Sequence, residues 1–223
     1  NYVDLQRGKC DIKGLISHMN AALGETNSTA KALENYFGVD SSVIASEIIP
    51  FSSDRKYSGA VFDGETFIIG APEFVLKSSF EKYAQMVNEE ANKGYRVLCL
   101  ASTKQDLIKG KLSRPPKPIA FILIEDQIRP EASETIRYFR ESGVEVKVIS
   151  GDNPVTVSEV AKRVGIASAE NYISLDGLTD DEVYDAALKY TVFGRVKPNQ
   201  KQIIVRSLKN HKKTVAMTGD GVN

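Results

Sequence analysis

The sequence has no tryptophan, and only two cysteines and two histidines occur in its 223 residues. Cys10 and Cys99 lie far apart with no metal-ligand spacing, and so sparse a pair builds no disulfide framework, which fits a reduced setting. His18 and His211 read as surface residues, so no nucleophile–His–Asp set can be assembled from them. Charge of one sign is also lacking: 29 Lys and Arg offset 29 Asp and Glu. That balance argues against nucleic acid or an anionic membrane surface as a partner. No apolar run approaches the roughly 20 residues that span a bilayer, and no signal peptide is visible. Repeats and low-complexity tracts are absent. Asn27-Ser28-Thr29 matches a glycosylation sequon, which a reduced setting makes a chance match. The chain begins on Asn1 and stops within a glycine-rich motif, so it is expected to be a piece of a longer polypeptide.

The length suits two modest domains, each with its own core. In the first half, Leu33, Tyr36 and Phe37 recur at helical spacing within a helix from Ser28. A hairpin is expected from Tyr57 to Phe62 and Thr66 to Ile69 around Asp63-Gly64. Helices follow, one from Pro72 and one over about 81–93, and then an apolar strand over 96–102. Strands followed by helices make this half α+β. Arg114 to Pro118 carries three prolines in five residues and reads as the domain boundary, at 117/118. Beyond it strands and helices alternate: strands at 119–124, 145–149, 172–174, 191–193 and 214–217, with helices opening at Pro130, Pro154, after Thr179 and at Pro198. This is the pattern of a doubly wound, mostly parallel sheet, whose loops gather on one edge.

Three stretches are expected to meet at that edge. Ser150-Gly151-Asp152-Asn153 offers a hydroxyl and backbone amides at a helix N-terminus, suited to a phosphoryl group. Arg195 to Lys201 offers a cation on a first helical turn. Thr218-Gly219-Asp220-Gly221 offers a hard carboxylate of the kind Mg²⁺ prefers. Together they suit phosphoryl transfer, where positioning and charge stabilisation do most of the work. Taken singly each is an ordinary turn, cap or surface lysine. Gly219-Asp220-Gly221 could instead open a dinucleotide fingerprint. A Walker A loop is excluded, because Gly110-Lys111 is followed by Leu112.

These motifs are similar to a larger set. Met217 to Asn223 resembles the TGDGVND signature of P-type ion-transporting ATPases. Ile124 to Glu131 resembles their D-x-x-R-P-E segment, Ser150 to Asn153 their T-G-D-N, and Arg195 to Lys201 their R-V-x-P-x-x-K. Earlier, Phe51 to Lys56 is similar to F-S-x-D-R-K, Gly70 to Glu73 to K-G-A-P-E, and Gly94 to Leu98 to G-x-R-V-L. The matches keep family order along nearly the whole chain and favour the calcium-pump-like branch.

The resemblance implies a nucleotide-binding domain at 1–117 and an incomplete phosphorylation domain of the haloacid-dehalogenase-like type at 118–223. It implies ATP and Mg²⁺ as cofactors. Asp220 would ligate the metal, Ser150 and Gly151 would hold phosphoryl oxygens, and Lys201 would offset their charge. Asp152, Asp126 and Arg129 would organise the loop near the nucleotide, with Arg195 beside them. Phe51 would stack on adenine, Lys56 would line the base pocket, Gly70 would let the backbone close on the nucleotide, and Arg96 would reach the phosphates. The implied partners are ATP and the transmembrane and actuator domains of the same parent chain, with the transported cation bound elsewhere; the implied place is the cytoplasmic side of a membrane protein. Two departures stand out. Ile69 replaces the family lysine of K-G-A-P-E, and Ala30 replaces the glutamate of G-D-P-T-E, so ATP binding is expected to be weak. The phosphorylated Asp of D-K-T-G-T has no counterpart in the sequence. The competing readings are a soluble phosphatase of the haloacid-dehalogenase type and a non-catalytic nucleotide-binding module.

Overall fold

The structure is a computed structural model that describes residues 1–104, 111–112, 114–125 and 128–219. It divides into two units, Asn1–Glu90 with Val97–Ile124, and Ala91–Arg96 with the residues from Glu125 onward.

The first unit is built on a six-stranded sheet of order β1-β6-β5-β4-β3-β2. Its strands are β1 (Tyr2–Asp4), β2 (Glu47–Ser52), β3 (Tyr57–Phe62), β4 (Glu65–Gly70), β5 (Tyr95–Thr103) and β6 (Lys117–Glu125). The Asp63-Gly64 hairpin forms as expected, both turn residues taking positive φ (47° and 75°), as a two-residue connection between right-twisted strands requires. β2 is an edge strand, which is why it tolerates Pro50, and its register with β3 shifts between Ile49 and Ser52. Two helices, α1 (Ile12–Leu23) and α2 (Ser28–Phe37), supply Ile16, Met19 and Leu33 to a core shared with Ala60, Phe62, Ile69, Leu100, Ile119 and Ile122. The sequon is absorbed into this packing: Asn27 caps α2, its Oδ1 accepting from the Ala30 amide at 2.9 Å. The unit continues through α3 (Pro72–Leu76), a 3₁₀ turn at Lys77–Lys82 and α4 (Ala84–Asn92), whose last two residues are counted in the second unit.

One expectation is overturned here. The strand at 119–124, expected to open the parallel sheet after the boundary at 117, instead pairs antiparallel with β1, Tyr2 opposite Ile122 and Asp4 opposite Ala120. Ala120, Phe121 and Ile122 are all essentially fully buried there. A run apolar on both faces fits the interior of either sheet, and the neighbouring strands decide between them. The proline-rich stretch therefore joins β5 to β6 within one sheet, and the first unit runs on to Ile124.

The second unit holds a parallel sheet of order β7-β9-β8, from β7 (Val148–Ile149), β8 (Tyr172–Ser174) and β9 (Val192–Gly194). It is wound on both faces. Val192 packs with Ala161 and Ala169 beside α6 (Pro154–Arg163), while its neighbour Phe193 packs with α7 (Asp180–Lys189) and α8 (Pro198–Asn210) through Val183, Ala187, Ile203 and Ile204. Alternation along β9 thus sends successive side chains to opposite layers. Thr179 opens α7 with a full capping box to Glu182. α5 (Ala132–Glu141) contributes no buried residue.

The expected closing strand at 214–217 is absent. Thr214 and Ala216 to Gly219 are exposed and Val215 is half-buried, with no ladder partner among the described residues. A segment with no ladder partner leaves its backbone groups to water and gains nothing from a sheet.

Candidate functional site

The second unit gathers its polar groups at the C-terminal ends of β7 and β9, where parallel sheets place ligands. β7 ends at Ile149, and Ser150 continues the ladder by one bond, its amide donating to the Phe193 carbonyl at 2.9 Å. The chain then turns. Ser150 Oγ accepts from the Asp152 amide at 3.1 Å and lies 3.4 Å from Asp152 Oδ2. Asn153 caps α6 through the Val155 amide (2.9 Å), and Pro154 occupies the first turn. The positive end of α6 thus faces the loop.

The turn after β9 clamps this loop. Arg195 adopts φ +53°, and its amide donates to the Asp152 carbonyl at 2.8 Å while the next amide, Val196, donates to the Ser150 carbonyl at 3.0 Å. Its guanidinium reaches the Gly151 carbonyl at 3.3 Å. Gly194 makes the close approach possible, since a Cβ there would stand 2.5 Å from Pro154 N and 2.6 Å from its Cα. That requirement is invisible in the sequence, because Gly194 has no special φ and belongs to no motif.

Arg96 completes the loop from an unexpected direction. Although it is the second residue of β5, it belongs to the second unit, with Nη2 2.7 Å from Asp152 Oδ2. The segment before it lies on α6. Thr156 Oγ1 donates to the Tyr95 carbonyl at 3.0 Å, and Arg163 donates to the Lys93 carbonyl. Sequence reasoning missed both anchors, as neither carries a motif.

Lys201 sits on the first turn of α8, half-buried, and makes no ion pair with a described carboxylate. It borders a groove of about 380 Å³ along α8, with Val205, Arg206 and Met217. That groove runs down the helix flank, away from the loop chemistry. Arg129 is exposed ahead of α5 and makes no described contact with the loop. Asp126 and Asp220 lie outside the described residues. Among the described residues no three of His, Cys, Asp and Glu gather as a metal set, and Asp152 is engaged by Arg96.

The first unit brings Phe51, Lys56 and Gly70 to one end of its sheet. Ser52 pairs with Tyr57, and Tyr57 with Gly70. Phe51 is 51% exposed, so it is a surface aromatic and not a core residue. Lys56 takes φ +56° in the turn, and its carbonyl accepts from the Ala71 amide at 2.9 Å. Gly70 has a purely internal reason to be glycine: a Cβ would meet Lys56 O at 2.3 Å and Tyr57 Cβ at 2.4 Å. It fits its own hairpin rather than standing open to a ligand. Ile69 and Ala30, the two departures, are 7% and 8% exposed, so each has become an apolar packing position.

A family model described as haloacid dehalogenase-like hydrolase matches residues 19–223. The chain belongs to the haloacid dehalogenase-like hydrolase family. Among its curated relatives, a probable cation-transporting ATPase of Streptococcus pneumoniae is 38% identical over 97% of the chain and 28% of the relative. A calcium-transporting ATPase of Mycobacterium tuberculosis is 35% identical over 95% of the chain and 27% of the relative. Calcium-transporting ATPase 2 of Schizosaccharomyces pombe is 29% identical over 93% of the chain and 19% of the relative. The chain is thus homologous along nearly its whole length to one region of cation-transporting ATPases, and spans about a quarter of the first two. No helix among its described residues is long and apolar enough to cross a membrane.

Proposed function

We propose that the chain is the nucleotide-binding and phosphorylation portion of a P-type pump that couples ATP hydrolysis, through an aspartyl-phosphate, to cation movement across a membrane. The observation that carries this reading is the loop Ser150–Asp152, set at a helix N-terminus with Arg96 and Arg195 against it, in a chain homologous to cation-transporting ATPases. The two calcium-transporting relatives favour calcium as the transported ion.

In this reading Ser150 Oγ and the backbone at Gly151 hold phosphoryl oxygens, and Lys201 and Arg195 offset their charge. Phe51 offers an exposed ring to adenine, with Lys56 beside it. Arg96 contacts phosphate while Asp152 aligns its guanidinium. Asp220 is the Mg²⁺ ligand and Asp126 and Arg129 assist near the nucleotide, on the motif resemblance alone. The metal would supply charge neutralisation at the transferred phosphoryl group. Ile69 and Ala30 stand where the family has a lysine and a glutamate, and both are buried apolar positions, so neither supplies a group to the nucleotide and affinity is weak. The sequence holds no D-K-T-G-T aspartate, so the isolated chain binds ATP without turning it over.

Titration with β,γ-methylene-ATP, followed by amide chemical shifts, tests this. Perturbations at the Phe51–Lys56 turn and at Ser150–Asn153 are expected. If neither region responds at millimolar ligand, or if the isolated chain shows sustained ATPase activity, the reading is wrong.

A further inference from the structure

We propose that Thr156 and Arg163 are positioning residues for Arg96: by holding the main chain of Lys93–Tyr95 against α6, they set its guanidinium at the Ser150–Asp152 loop. This rests on the reading that the loop and Arg96 receive nucleotide phosphate.

Three contacts fix a four-residue stretch. Arg163 donates to the Lys93 carbonyl, Thr156 Oγ1 donates to the Tyr95 carbonyl at 3.0 Å, and Arg96 Nη2 meets Asp152 Oδ2 at 2.7 Å. Thr156 and Arg163 stand two helical turns apart in α6, so they share a face of that helix. Asp152 lies just ahead of the same helix. One rigid element therefore carries both anchors, and its leading loop carries the group that Arg96 meets. Between the anchored carbonyls lies Gly94, with φ +86°. A Cβ there would stand 2.7 Å from Arg163 Nη2 and 2.8 Å from its Cζ, so the missing side chain is the space the guanidinium fills.

Simple satisfaction of polar groups does not account for both anchors. Lys93 is exposed, so water could serve its carbonyl without Arg163. Thr156 is 3% exposed, and a valine of the same shape would fill its space if packing were its whole task. What the two donors add is direction. They fix the backbone one residue before Arg96, whose long side chain would otherwise lose considerable rotamer freedom on meeting the loop.

The test is an equilibrium titration of the full chain with β,γ-methylene-ATP and, separately, with adenosine, which lacks phosphate. Arg96→Gln is expected to weaken the triphosphate and leave adenosine unchanged. Thr156→Val is expected to weaken the triphosphate by about three- to tenfold, the scale of one lost hydrogen bond. Adenosine affinity stays within about twofold. Thr156→Ser, which keeps the hydroxyl, restores triphosphate binding. In an Arg96→Gln background Thr156→Val adds nothing, because it acts through Arg96. Arg163→Gln, at an exposed position, gives the same split and serves if Thr156→Val fails to fold. If Arg96→Gln weakens the triphosphate but Thr156→Val and Arg163→Gln do not, the positioning role is overturned while the phosphate reading stands. Equal losses for both ligands, or additive effects with Arg96→Gln, also overturn it. Should Arg96→Gln leave triphosphate binding intact, the reading of Arg96 falls and the positioning role with it.

Discussion

Gly194→Ala is the sharpest perturbation of the loop that does not remove any of its functional groups. An added Cβ would lie 2.5 to 2.6 Å from Pro154 N, Cα and Cβ. Comfortable carbon contacts are about 3.5 to 4.0 Å, so roughly 1 Å of separation must be opened. Two of the three opposing atoms are main chain and the third belongs to a ring, so no side-chain rotation relieves the clash. β9 cannot retreat easily either, because β7 and β8 bind it from both sides and Phe193 is fully buried behind it. Overpacking of this kind costs typically about 1 to 3 kcal/mol, and the rigidity of both partners puts this case near 3. A chain of two units need not melt in one transition, so the effect is better read locally by native-state hydrogen exchange. The informative amides are Ser150 and Val196, which donate to Phe193 and Ser150 carbonyls at 2.9 and 3.0 Å. A loss of 2 to 3 kcal/mol should speed their exchange by roughly 30- to 150-fold. Gly177→Ala is the control, since Gly177 has φ +78° with nothing within 4 Å, and its cost of about 1 kcal/mol is backbone strain alone. If Gly194→Ala costs no more than Gly177→Ala and leaves these amides protected, the clamp formed by the turn after β9 is not what holds the loop.

Phe51→Ala should change stability by less than about 0.5 kcal/mol, as the ring is half exposed at an edge strand, yet weaken β,γ-methylene-ATP by about fivefold or more; unchanged affinity in the titration would remove Phe51 from the site. Restoring the family lysine by Ile69→Lys should not strengthen ATP binding but should destabilise the first unit by about 3 kcal/mol or more, since the position is 7% exposed among Met19, Phe62 and Leu100. Urea unfolding with a parallel titration checks both parts, and a stable, tighter-binding variant would refute them. The α7 cap gives a pH dependence. Glu182 is held below the ordinary glutamate value of 4.5 by the Thr179 backbone amide first and its hydroxyl second. Its stabilising contribution is therefore complete above 4.5 and lost as the pH falls through the depressed folded value. The melting-temperature gap between the wild type and Glu182→Gln should be present at neutral pH and close in acid; a gap independent of pH would contradict the cap's charge.

Local signals in the sequence carried the elements whose reasons are local. α8 runs from Pro198 to Asn210, the span its opening proline and helical spacing indicate, and the hairpin turns at Asp63-Gly64. α1 has a legible pattern, with Ile12, Ile16 and Met19 at helical spacing behind Asp11, whose side chain caps the Gly14 amide at 3.1 Å, but Gly14 inside the first turns disguises it. What could not be read was sheet membership. Ile119 to Ile124 is apolar on both faces, so its own pattern suits a parallel interior as well as the place it takes between β1 and β5. The difference lies in Tyr2–Asp4, three residues at the far end of the chain that no periodicity marks as a strand.

The candidate site divides in the same way. Residues whose task is set by the adjoining turn, Ser150, Asn153 and the Arg195 backbone, stand where their spacing put them, because a strand end followed by a helix cap leaves little choice. Residues whose task depends on a distant segment do not. The resemblance puts Arg96 in the nucleotide-binding half, reaching the phosphates, and the structure counts it in the second unit, on Asp152, 56 positions further along. Nothing in Gly94-Tyr95-Arg96 announces this; the cause is a pair of donors on α6 and the absence of a Cβ at Gly94. Gly94 is therefore informative in two ways at once. It ends α4, as any left-handed glycine can, and it also admits the Arg163 guanidinium, which alanine or asparagine with the same φ would exclude. A motif containing glycine before Arg-Val-Leu thus encodes a packing constraint as well as a helix stop, and the two separate experimentally: Gly94→Ala should disturb Arg96 more than the helix end it terminates.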